Sequence, residues 1–123
     1  MLSERRKFKR FDVSLDVAFK ASKNAGGYFS GVTKNFSRSG LCFESPTVSL
    51  ALKAPMELEV KLPDQDTFVP VSGNVAWKYQ LEDKCLIGIE FTEINKEAKS
   101  QILDYAYDLW VEKNRGLKSV GQG

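Results

Sequence analysis

Val69-Pro70-Val71-Ser72-Gly73-Asn74-Val75-Ala76-Trp77-Lys78-Tyr79 places Val69, Val71, Val75, Trp77 and Tyr79 on one face of a long strand, with Gly73 in the same register. A period of two is the mark of a half-buried strand, and a glycine inside one marks a bend or bulge. Leu81–Lys84 turns the chain, and Cys85, Ile87, Ile89 and Phe91 then share one face of the next strand. Upstream, Met56, Leu58, Val60 and Leu62 alternate with Glu57, Glu59 and Lys61, and Pro63-Asp64-Gln65-Asp66 makes the turn. Near the start, Val13, Leu15, Val17 and Phe19 alternate with Ser14, Asp16, Ala18 and Lys20, before a turn at Asn24-Ala25-Gly26-Gly27. Residues 28–36 are rich in Tyr28, Phe29, Val32 and Thr33 but alternate less cleanly. Asn35 to Gly40 reads as a loop or bulge, Leu41–Glu44 as a short strand, and residues 45–55, with Pro46 and Pro55, as a longer connection.

Beyond residue 94 the period changes. Asn95 suits an N-cap and Glu97 the first turn of a helix. Ala98, Ile102, Ala106, Leu109 and Lys113 follow at helical spacing, joined by Leu103 and Trp110. This predicts an amphipathic helix of roughly five turns that stops at Gly116. About six short antiparallel strands followed by one helix describe a mainly β fold, a small closed or nearly closed barrel with the helix over one opening or along the side. No helices separate the strands, which argues against a doubly wound α/β fold.

Composition agrees with one domain. The chain has 123 residues, 42% apolar and 28% charged, with a net charge of +2. A chain this long buries roughly two-thirds of its unfolded surface and has no room for a second sizeable core. No apolar run approaches the ~18–20 residues that span a bilayer, and the basic start leads to no signal-peptide core. A soluble, cytoplasmic protein is expected. Histidine is absent. That excludes Ser-His-Asp and Cys-His catalysis and His-ligated metals, and two cysteines cannot build a four-thiolate site. Cys42 and Cys85 sit in apolar stretches and read as core thiols. The carboxylate pairs Asp64/Asp66 and Glu82/Asp83 read as turn residues, so no enzyme is expected.

The small net charge hides an asymmetry. Residues 1–39 hold nine Lys+Arg against three Asp+Glu, whereas residues 40–123 hold nine against thirteen. The positive charge is densest in Glu4-Arg5-Arg6-Lys7-Phe8-Lys9-Arg10-Phe11, a cluster that attracts phosphates or carboxylates. Two spacings stand out together. Arg6 and Arg10 are separated by three residues just before the first strand. Asn35, Ser37 and Gly40 follow the second strand as an amide, a serine two on, and a glycine three beyond that. Asn and Ser in a loop often bond their own backbone, and Gly often only supplies a turn.

These residues resemble the PilZ domain family, whose signature pairs RxxxR with [D/N]xSxxG. Arg6 and Arg10 match the first half; Asn35, Ser37 and Gly40 match the second. Gly73-Asn74-Val75-Ala76-Trp77 and Ile87-Gly88-Ile89-Glu90-Phe91 look like the family's later strands, so the likeness spans roughly residues 4 to 110. It implies a six-stranded antiparallel β-barrel with a C-terminal α-helix. It also implies binding of the bacterial second messenger cyclic di-GMP, with no cofactor and no metal. A guanidinium is a planar fork that suits guanine O6 and N7, or a phosphate. Arg6 and Arg10 are therefore assigned to base and phosphate contacts, with Arg5 beside them. Asn35 and Ser37 would meet another guanine edge, and Gly40 would permit a turn or close approach. Lys9, Lys34, Arg38 and Trp77 are accessory candidates. Trp77 either stacks on a guanine or packs in the core beside Val71 and Val75.

The expected organisation is a basic clamping arm (1–12), a barrel with its helix (13–116) and a flexible tail (117–123). Without ligand the arm would be mobile through self-repulsion. Binding would order it over the barrel and change the surface offered to a downstream protein. The domain would act as a monomer or weak homodimer, without membrane insertion, in a family that serves motility, adhesion and polysaccharide export. The acidic balance of residues 40–123 argues against the alternative of a barrel for single-stranded nucleic acid. A second alternative is an interaction module that keeps the fold without the ligand.

Overall fold

The computed structural model describes residues 9–20, 28–46, 50–62 and 66–122, with 115–122 as backbone only. Arg5 and Arg6 lie outside the described residues. Within them the chain forms β1 (Phe11–Asp12), β2 (Asp16–Phe19), β3 (Phe29–Phe36), β4 (Gly40–Pro46), β5 (Pro55–Lys61), β6 (Phe68–Gln80), β7 (Lys84–Ile94) and α1 (Lys96–Gln122). All pairings are antiparallel. The ring β2-β5-β6-β7-β4-β3 closes on itself through the β2–β3 and β3–β4 ladders. A six-stranded barrel with one C-terminal helix is therefore what forms, as the sequence implied.

Closure rests on the alternation read from the sequence. Val17, Phe19, Phe36, Phe43, Leu58, Val60, Val71, Val75, Ile87 and Ile89 all point inward and are buried. Phe19 packs against Phe43 at a ring separation of 4.8 Å, and Phe36 against Phe91 at 5.3 Å. Non-directional burial of this kind supplies most of the drive to fold.

The strand predicted over residues 13–20 forms only from Asp16 to Phe19, and a separate two-residue strand, β1, precedes it within the stretch expected to be the arm. β1 and β2 lie end to end along the same side of β3, β1 opposite Asn35 and Phe36, β2 opposite residues 29–32. Between them Val13–Leu15 leaves the regular ladder while Val13 and Leu15 stay buried. A fully buried threonine bridges the gap. Thr33 Oγ1 donates to Val13 O at 2.6 Å and accepts from Leu15 N at 2.8 Å, and Thr33 N donates to Leu15 O at 2.9 Å. The short strand predicted at 41–44 runs from Gly40 to Pro46, which shortens the connection expected after it.

The helix starts as predicted, with Asn95 Oδ1 accepting from Ala98 N at 2.9 Å. Its buried face is shorter than expected. Ala98, Ile102 and Ala106 are buried, but Leu109 and Trp110 remain 39% and 40% exposed. The helix runs past the barrel wall, so its later apolar residues meet no core. It also continues beyond Gly116 to Gln122. One glycine costs only about 1 kcal/mol against alanine inside a helix and is no stop by itself.

Candidate ligand-binding site

Five residues lie side by side across the outside of the barrel. Asp12 on β1 opposes Asn35 on β3, Asn35 opposes Cys42 on β4, Cys42 opposes Gly88 on β7, and Gly88 opposes Trp77 on β6. Directly opposed residues project to the same face. Their neighbours Phe36, Leu41, Phe43, Ile87 and Ile89 fill the core, so this row faces outward. At ~4.8 Å per strand the four steps span about 19 Å.

Two bulges create the row. Strict alternation after inward Thr33 would bury Asn35 and expose Phe36. A register shift between Thr33 and Asn35 reverses this, burying Phe36 and turning Asn35 out. A second shift between Val75 and Trp77 does the same on β6. Trp77 therefore leaves the face of Val71 and Val75, where the sequence pattern placed it, and is 40% exposed. Core packing is not its role. Its indole lies close over Gly88, where an added Cβ would stand 2.2 Å from Nε1. Bulges commonly re-aim side chains at functional sites in this way. A further shift lies between Ser72 and Gly73, where the extra residue is Thr92 on the facing strand β7.

Four residues of the row, Asp12, Asn35, Cys42 and Trp77, line a cleft of about 1210 Å³. Arg10, Asp12, Val13 and Ser14 line one edge, Lys34, Asn35, Cys42, Trp77 and Leu86 the floor. The far wall is α1, through Tyr105, Leu109, Trp110, Glu112 and Lys113. Spacings of four, three and one residues put Tyr105, Leu109, Glu112 and Lys113 on one helical face. Ordinary small-molecule sites occupy roughly 300–1,000 Å³, so this cleft admits a large ligand.

Within it the two motif halves meet. Arg10 Nη1 donates to Asn35 Oδ1 at 2.9 Å, across twenty-five residues of sequence. The flanking residues anchor Arg10. Phe11 pairs with Phe36 and packs edge-on against Tyr107 at 5.9 Å and Trp110 at 6.2 Å. Lys9 Nζ lies 5.3 Å from the Trp110 ring centre and 5.7 Å from that of Phe11, within cation–π range. Lys9 to Asp12, the last part of the expected arm, thus pack against α1 and β3 through these contacts and two ladder pairs.

Ser37 and Gly40 do not line the cleft. Ser37 is 1% exposed, and its Oγ accepts from Ser39 N at 3.2 Å and lies 3.3 Å from both Ser39 Oγ and Gly40 O. Ser37 N donates to Gly40 O at 2.8 Å, closing the β3–β4 turn. A Cβ on Gly40 would stand 2.1 Å from Ile89 O, so only glycine lets β4 approach β7 there. The two residues shape the turn that follows Asn35. Arg38 is exposed beside it and its carbonyl accepts from Lys99 Nζ at 3.2 Å. Lys34 does reach the cleft and pairs with Glu44 at 3.5 Å.

Electrostatics follow this layout. Burial pushes the Cys42 thiol above its ordinary value, against the pull of Arg10 and Lys34. The hydrogen bond from Lys84, at 3.2 Å, holds Glu44 below the usual glutamate value against its desolvation, helped by the Lys84 charge and then by Lys34. Asp12, Cys42, Leu86 and the helix wall were not singled out from the sequence. Asp12 and Cys42 become site residues only through cross-strand register. The helix residues carried a visible signal, an apolar stripe continuing past Ala106, which reads equally well as core. Neither cysteine is in a disulfide. Among the described residues no helix is long and apolar enough to cross a membrane.

The site is thus a large outward cleft on a closed antiparallel barrel, walled by a helix and lined by an arginine, an amide and aromatic rings. The chain belongs to the PilZ domain family, which matches residues 4–108. No curated protein matches it in sequence. Among solved structures it is similar to the PilZ domain with c-di-GMP of YcgR from Escherichia coli. The TM-score is 0.71 at 12% identity, covering 93% of this chain and 98% of that one. It is also similar to the Bacillus subtilis inhibitor of motility MotI/DgrA, with TM-score 0.70 at 19% identity and coverage of 89% and 53%. The MrkH–c-di-GMP complex of K. pneumonia gives 0.69 at 18%, with coverage of 91% and 55%. The chain spans about half the length of the last two proteins. At these identities the likeness is one of fold.

Proposed function

We propose that this domain is a receptor for cyclic di-GMP that works by binding and not by catalysis. The hydrogen bond from Arg10 to Asn35 carries the reading, because it joins both motif halves in one cleft. The solved complexes of YcgR and MrkH with that dinucleotide support it. The cleft offers what the ligand needs. Arg10 is a fork for guanine O6 and N7 or for phosphate. Asn35 is an amide that both donates and accepts. Trp77, with Tyr105 and Trp110 opposite, offers faces on which bases stack. Ser37 and Gly40 act by holding the turn after Asn35. Arg5 and Arg6 bring further guanidinium groups from the arm before Lys9. Their engagement changes the surface that a downstream protein reads.

Calorimetric titration with cyclic di-GMP tests this. The wild type is expected to bind, and Arg10→Ala to bind about 5- to 150-fold more weakly, the range for losing one bidentate base contact. A single-stranded oligonucleotide is expected to give no heat. No binding of cyclic di-GMP at high micromolar concentration, or equal affinity in Arg10→Ala, overturns the reading.

A further inference from the structure

Asp12 stands in the cleft without an assigned role. It directly opposes Asn35, which puts the two Cβ atoms ~4.5–5.5 Å apart on one face. Arg10 precedes it by two residues, so along extended chain the two side chains leave on the same side. All three line the cleft. Among the described residues no hydrogen bond or ion pair engages the Asp12 carboxylate, and the Arg10 guanidinium turns to the neutral amide of Asn35. A carboxylate here is a poor neighbour for a phosphate, which it repels. It is a good neighbour for a ligand edge made only of donors, since an ionised carboxylate only accepts.

Guanine has such an edge. Its N1–H and exocyclic N2–H₂ point the same way and can meet both oxygens of one carboxylate, in charge-assisted bonds. Adenine presents a ring acceptor at the same place, which a carboxylate repels. We infer that Asp12 is the residue by which this site selects guanine: it accepts from N1–H and N2–H₂ while Arg10 takes the O6/N7 edge or the adjoining phosphate. This deepens the receptor reading and rests on it. Among the described residues Glu112 is the other carboxylate lining the cleft, and it stands on the helix wall.

The test is a thermodynamic cycle with two ligands, cyclic di-GMP and its inosine analogue. The analogue keeps N1–H and lacks the 2-amino group. Wild type is expected to prefer cyclic di-GMP by about 5-fold or more. Asp12→Ala is expected to lose about 5- to 150-fold in affinity for cyclic di-GMP and to bind the two ligands alike. Glu112→Ala is expected to keep the wild-type ratio. Asp12 is exposed on its short strand, so thermal melts should show Asp12→Ala folded; Asp12→Asn, nearly isosteric, serves if they do not. An unchanged ratio in the Asp12 variant, or a ratio lost in Glu112→Ala instead, overturns the inference and leaves the receptor reading standing. A wild type that binds neither ligand overturns both.

Discussion

Replacing Thr33 by valine removes one hydroxyl and keeps the shape of the side chain. In the folded protein that hydroxyl holds Val13 O at 2.6 Å and Leu15 N at 2.8 Å, both in buried bonds. Valine leaves a backbone acceptor and a backbone donor without partners. Each unsatisfied buried group costs about 1–3 kcal/mol. Two such groups sum to about 2–6 kcal/mol. At roughly 4 °C per kcal/mol for a domain of this size, the midpoint falls by about 8–24 °C. Urea and thermal unfolding of Thr33→Val and Thr33→Ser measure it. Serine keeps the hydroxyl and loses only a methyl group, so it should lie well above valine. The loss should also reach ligand affinity, because the stitch fixes β1, which carries Asp12 and follows Arg10. Thr33→Val matching Thr33→Ser within about 0.5 kcal/mol would refute the account of how the gap between β1 and β2 is held.

Two further outcomes follow from contacts elsewhere. Gly40→Ala puts a Cβ 2.1 Å from Ile89 O, a backbone atom that cannot swing aside, so β4 must part from β7. Unfolding should show a loss of at least about 2 kcal/mol, within the range known for overpacking, and a loss near zero would show the turn to be slack. Glu44 is held below its ordinary value of 4.5, first by the hydrogen bond from Lys84. A carboxylate with a lowered folded value contributes above the unfolded value and loses that contribution as pH falls through the folded one. The stability gap between wild type and Glu44→Gln should therefore be present at neutral pH and close as the pH falls below 4.5 and through the lowered folded value, and a gap that widens in acid would contradict the pairing.

The barrel was largely legible because its alternation is local. Met56 to Leu62 and Cys85 to Phe91 announce which face is buried without reference to any partner. The bulges at Lys34 and Ala76 are not local. They arise where two strands of unequal path are paired, and nothing in Val75-Ala76-Trp77 says that Trp77 faces outward. The same holds for Asp12, which looks like an ordinary exposed residue until register sets it against Asn35. The motif residues were visible as a set, but their roles separate only in three dimensions: Arg10 and Asn35 meet in the cleft, whereas Ser37 and Gly40 build the turn behind it. The helix wall was hidden for another reason. An apolar stripe reads as core, and only the geometry shows that the core ends at Ala106 while Leu109 and Trp110 go on to face the cleft.

Backbone NMR during a cyclic di-GMP titration tests the central claim most directly. The account predicts the largest shift changes at Arg10 and along the row of Asp12, Asn35, Cys42, Gly88 and the Trp77 indole, which crosses five strands beside the helix wall. Changes confined to another surface, such as the groove around Asp16, Val32, Phe68 and Lys84, with this row unmoved, would contradict it.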